Sequence, residues 1–110
     1  MPLRNLLLAI LFSSACLPAY AERLVLQLTL TPTGFSPKQL TVPANKRIQI
    51  KLVNKTQQVA ELESYDMKFE KIAVPNGQIS VFTGPLEAGK YTFFNDYSDH
   101  VTGTLIAKKP

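Results

Sequence analysis

The residues best equipped for chemistry lie in two short stretches. Segment 61–70 reads Glu-Leu-Glu-Ser-Tyr-Asp-Met-Lys-Phe-Glu and gathers four carboxylates and a thioether, in a chain with only 8 acidic residues. Segment 95–100, Asn-Asp-Tyr-Ser-Asp-His, adds two more carboxylates and the single histidine. Brought together by a fold, they would make a site of hard oxygen donors with one imidazole. Such a set suits iron or copper(II) better than a metal that depends on thiolates. The candidate metal ligands are Glu61, Glu63, Met67, Asp96 and His100.

Each candidate also has a plainer use. Glu61 and Glu63, two apart, share one face of a strand, where they repel unless a cation or a nearby Lys68 or Lys71 lies between them. Asp66 and Glu70 read as ordinary surface charges. Met67 is a donor for copper(I) or a filler of irregular core space. His100 offers a neutral ring nitrogen or simply sits on a loop, and Asp96 and Asp99 beside it put the two uses on an equal footing. Tyr65 and Tyr97 flank both stretches; packing with one hydroxyl hydrogen bond is their ordinary role.

The elements that must position these residues are strands. Leu24–Leu30 is rich in strand formers, Gln39–Val42 stops at Pro43, and 47–54 alternates, with Ile48, Ile50 and Leu52 facing one way and Arg47, Gln49 and Lys51 the other. Asn76-Gly77 predicts a type I′ hairpin turn joining the segment around 72–74 to 79–83. Further strands are expected over 90–94 and 104–107, and Ser64 to Glu70 reads equally as a helical turn, a strand or a loop. Phe35, Phe82, Phe93 and Phe94 are expected in the core. About seven short strands without a long helix predict an antiparallel Greek-key β-sandwich.

Residues 1–21 read as a cleaved signal peptide: Arg4, an apolar Leu6 to Phe12, then Pro-Ala-Tyr-Ala ending at Ala21. The apolar run is too short to span a bilayer. One domain, 22–110, is expected after it. The sole cysteine, Cys16, falls inside that signal, where small residues before it also allow a lipoprotein reading. Its removal with the signal would exclude disulfides, thiolate nucleophiles and Cys-zinc sites from the exported domain. The net charge of +4 comes from scattered bases without a run, which argues against a nucleic-acid surface. No nucleophile elbow, phosphate loop or His-x-x-x-His is present, so an enzyme acting alone is not expected.

Three blocks resemble a cupredoxin. Residues 35–48, from Phe35 to Ile48, are similar to that family's entry strand and Pro-Ala-Gly turn. The strand ending at Asn54 leads into Glu61-Leu-Glu63. Leu86 to Asn95, followed by Gly103 to Ala107, is similar to the closing strands around the blue-copper ligand loop. The resemblance places the four blue-copper ligand positions at Glu61, Asn95, Ser98 and Val101, none of which is the usual residue. A type 1 copper centre needs a thiolate, so a blue-copper electron carrier of the usual kind is ruled out.

The segment from Glu61 to Lys71, with the tail from Gly84 to Asp96, also resembles a narrower group: thiol-less cupredoxin-like periplasmic proteins that accompany bacterial iron-uptake systems. What this implies is a periplasmic, metal-binding accessory of iron transport, holding iron or copper(II) and assisting ferrous oxidation or delivery. Its partner would be an iron-uptake permease or a periplasmic iron-binding protein. The alternative is a metal-free sandwich that docks on such a partner.

Overall fold

The computed structural model describes residues 22–110; the expected signal peptide lies outside them. Among the described residues nine strands form two sheets and there is no helix. They are β1 (Arg23–Thr31), β2 (Gly34–Ser36), β3 (Gln39–Pro43), β4 (Arg47–Asn54), β5 (Ala60–Ser64), β6 (Phe69–Ala73), β7 (Gln78–Thr83), β8 (Gly89–Asn95) and β9 (Thr102–Lys108). One sheet runs in the order β2-β1-β4-β7, the other β3-β9-β8-β5-β6.

Alternating polarity decides which side chains meet between the sheets. Ile48, Ile50 and Leu52 of β4 point inward, as their spacing predicts, and oppose Phe93, Leu105, Leu62 and Val42 from the second sheet; all are almost fully buried. Each such aliphatic side chain contributes about 1.5–3 kcal/mol on leaving water. Phe93 packs edge-on against Phe35 at 5.0 Å between ring centroids. Its cross-strand partner is Gly103, where an added Cβ would lie 2.3 Å from the Phe93 ring. The glycine therefore leaves room for the largest fully buried side chain of the core.

The architecture is the all-β sandwich that the sequence implies, with two differences in detail. The described residues hold nine strands instead of about seven because β2 and β5 are short elements that the polarity pattern does not separate. The sheets are mixed, since β1 pairs β4 and β3 pairs β9 in parallel. Side-chain alternation fixes the face of a strand but not its partner or direction. Only β1–β2, β5–β6 and β8–β9 connect within a sheet; every other connection crosses between sheets.

One such crossing corrects the expected Asn76-Gly77 hairpin. β6 and β7 belong to different sheets. Gly77 N–H donates to the Val74 carbonyl at 2.9 Å, and Asn76 takes φ 61°. Pro75 followed by a residue with positive φ is the pattern of a type II turn, not of a type I′ turn. The hairpin instead lies at residues 64–69, with Ser64 paired to Phe69.

Two of the phenylalanines also leave the core. Phe94 follows inward-facing Phe93, and Phe82 follows inward-facing Val81, so both side chains turn outward. Phe82 is 53% exposed.

Candidate metal centre

The β5–β6 hairpin builds the acidic site. Glu61 and Glu63 alternate with buried Ala60, Leu62 and Ser64, which places both on the outer face of the five-stranded sheet. In register, Glu63 is opposite Glu70 of β6. The carboxylates of Glu61, Glu63 and Glu70 each bring an oxygen within 4.8 Å of the others, Glu61 and Glu63 half-buried and Glu70 exposed. Oxygens bound to one cation at about 2.0–2.6 Å are separated by no more than about twice that distance, so small rotations of these side chains would bring the three carboxylates onto a single ion.

The loop after β8 supplies a fourth carboxylate. Asp96 N–H donates to the Glu61 carbonyl at 2.9 Å, and its carboxylate is near enough to the Glu61 carboxyl to raise its pKa. Asn95 joins the two elements from below: its Oδ1 accepts the N–H of Glu61 at 3.0 Å and of Tyr97 at 3.2 Å. The turn between β5 and β6 is equally fixed. Ser64 Oγ donates to the Thr92 carbonyl and accepts the Met67 N–H, while Asp66 Oδ2 accepts the Thr92 N–H.

Crowding of like charge shows in the acidities. Glu61 is held above its ordinary pKa of 4.5 first by partial burial, then by the charges of Glu70, Glu63 and Asp96. Glu63 is raised by partial burial and then by Asp96 and Glu70. Tyr65, 72% exposed and packed on Phe94 with ring centroids 5.2 Å apart, is raised chiefly by the Glu63 charge. Burial and neighbouring negative charge both raise these values, and a bound cation would oppose the second.

The sequence candidates divide accordingly. Glu61 and Glu63 come together, and Asp96 adjoins Glu61. Met67 is 4% exposed and packs within the hydrophobic core, where its role is to fill space. His100 stands exposed in a neighbouring shallow hollow with Asp96 and Asp99, outside the three-glutamate group. Glu70, read from sequence as a surface charge, belongs to the cluster. Its signal is the pairing of Ser64 with Phe69 across a tight turn, which puts residue 70 opposite residue 63.

A second feature occupies the end of the sandwich. A cleft of about 430 Å³ is lined by Val59, Asn95, Ser98 and Val101, among others. Three of the four blue-copper positions implied by resemblance thus share this cleft, but Glu61 points out of the sheet face and Val59 stands at the opening. An aliphatic side chain, an amide whose oxygen is already engaged, a hydroxyl and a valine cannot hold type 1 copper. That cofactor does not fit this chain.

Comparison with known proteins agrees with the architecture. The description of the Cupredoxin-like domain matches residues 4–107. A Rickettsia prowazekii (strain Madrid E) protein, the uncharacterized protein RP394, is 32% identical over 84 residues, spanning 76% of this chain and 67% of its own. Among solved structures, the blue copper protein auracyanin A of Chloroflexus aurantiacus superposes with a TM-score of 0.68 at 14% identity, over 79% of this chain and all of its own. The metal-binding domain of the Cu(I)-exporting P-type ATPase of Streptococcus pneumoniae D39 gives 0.66 at 12%, covering 83% and 100%. Amicyanin of Paracoccus versutus gives 0.59 at 16%, covering 86% and 88%. At these identities the structures share the fold alone.

Proposed function

The chain belongs to the family of cupredoxin-like domains, and we propose that it is a metal-binding member whose centre lies on the outer sheet face instead of in the end cleft. The ion is iron or copper(II), held by Glu61, Glu63 and Glu70 with Asp96 beside them. The observation that carries this reading is the convergence of three carboxylates within 4.8 Å. Carboxylate oxygens without a thiolate select hard cations. The site is open to solvent on one side, which suits an ion that is picked up and handed on.

In this reading the protein is a periplasmic accessory of an iron-transport system, and the recipient is a permease or a periplasmic iron-binding partner. Support comes from the resemblance of 61–71 and 84–96 to the thiol-less group that accompanies iron uptake. Calorimetry with copper(II) and with ferrous iron, under reducing conditions for the latter, tests it. The wild type is expected to bind one ion per chain, and Glu63→Ala or Glu70→Ala to weaken binding at least about tenfold, the low end of what losing even an outer-shell group costs. Equal binding by wild type and both variants would remove the site.

A docking module is the second reading, and one observation favours it. Tyr65, Ile72 and Val74, next to the acidic cluster, are all exposed; clustered exposed apolar groups mark interaction surfaces, and tyrosine is a frequent anchor in them. Metal binding by the purified protein separates the two readings.

A further inference from the structure

The four-stranded sheet carries the opposite charge. Its strands β2, β1, β4 and β7 contain Arg23, Arg47 and Lys51 and no acidic residue. Parallel pairing of β1 with β4 sets Arg23 directly against Arg47. Like charges directly opposite one another on a sheet destabilise it, and an anion held between them would relieve the repulsion.

Both arginines line one cleft of about 250 Å³, together with Phe82 and Gly84. The Arg23 guanidinium carbon lies 5.0 Å above the Phe82 ring, a stacking that fixes the plane of its donors. It also explains why Phe82 is outside the core. Gly84 closes the cleft: with φ +88° it brings the end of β7 so near that a Cβ would lie 2.4 Å from the Lys46 carbonyl oxygen. Arg23 and Arg47 start their strands, whereas Asn54, at the other end of β4, bonds to residues near the end cleft. The arginine cleft and the acidic cluster therefore belong to different sheets.

We propose that this cleft is an oxyanion-binding site, in which Arg23 and Arg47 grip one phosphate or carboxylate group from two sides. Guanidinium forks match the two oxygens of such groups and hold them through paired charge-assisted hydrogen bonds. A group of this kind occurs free in solution or as the headgroup of an anionic lipid, and the cleft recognises the chemistry common to both. The site is independent of the metal centre.

The test uses purified, metal-free protein and inorganic phosphate, followed by arginine side-chain NMR shifts and by melting temperature. Saturable shifts at Arg23 and Arg47 are expected. Arg47→Ala should weaken phosphate binding at least about tenfold, as loss of a charged hydrogen-bonding partner does. Arg47→Lys should restore only part of it, because the ammonium keeps the charge without the fork. Phe82→Leu should weaken binding with the fold intact, by freeing Arg23. Sedimentation with phosphatidylglycerol vesicles, against phosphatidylcholine, tells a headgroup from a free anion, and either source requires Arg47. Should phosphate raise the melting temperature of wild type and Arg47→Ala alike, the effect is general salt exclusion and the site is overturned. Binding by Arg47→Lys equal to wild type would also overturn the two-fork grip.

Discussion

Glu63 and Glu70 are directly opposed across the β5–β6 ladder, with Glu61 completing a triangle of carboxylates on the same outer face. A cross-strand pair of like charges costs stability. The fold tolerates it at an edge strand, β6.

That cost has a defined pH dependence. The folded chain binds protons at Glu61 and Glu63 more tightly than the unfolded chain does, because both pKa values are raised above 4.5. The contribution of these groups to stability is therefore full below about pH 4.5 and is lost as pH rises through the raised values. Glu63→Gln should melt like wild type at pH 4 and above it at pH 7 when no metal is present. Calorimetric melting across this range checks the crossover.

Protons and metal compete for the same oxygens. Copper(II) affinity should begin to fall at a higher pH than a cluster of ordinary glutamates would show, since protonation starts early here. Titrations between pH 7 and pH 4 measure this. His100→Ala should weaken binding less than Glu63→Ala, because His100 stands in the adjoining hollow with Asp96 and Asp99.

Copper-loaded protein should lack the intense blue thiolate-to-copper band, because among the described residues no sulfur lines the end cleft and a type 1 centre requires one. A visible spectrum during copper(II) titration decides it.

Asn95→Ala should destabilise the fold by about 1–3 kcal/mol, the range for losing the partner of buried polar groups. The Asn95 amide oxygen accepts from both Glu61 and Tyr97, so this substitution should also weaken metal binding without removing any carboxylate. Urea denaturation and metal calorimetry on the same sample separate the two effects.

Gly103→Ala should cost about 1–3 kcal/mol, as overpacking of a filled core does. The added methyl would meet the Phe93 ring, which is itself completely buried. Chemical denaturation gives the value.

Much of this was readable in the chain. The β4 alternation announces its own inner face, and Ile48, Ile50 and Leu52 are buried as it requires. Glu61 and Glu63 advertise a shared face by their spacing alone. Glu70 was harder to see: its place depends on a hairpin whose turn, 65–68, has no Asn-Gly or Gly-rich signal. The Asn76-Gly77 pair misleads for the converse reason. It marks a turn correctly, but only tertiary packing decides that the chain then crosses to the other sheet. Phe82 and Phe94 look like core residues by type, and strand parity, counted from Val81 and Phe93, sends them outward.

The position of β6 at the rim of its sheet has a kinetic consequence. Among the described residues β6 is bonded to β5 and to no strand on its other side, so its amides are expected to be among the first in that sheet to exchange with solvent. Fraying there carries Glu70 away from Glu61 and Glu63 while β5 stays anchored to β8. An ion bridging both strands would act as a clasp, slowing the exchange of β6 amides, and its own residence time would be set by how often the rim peels.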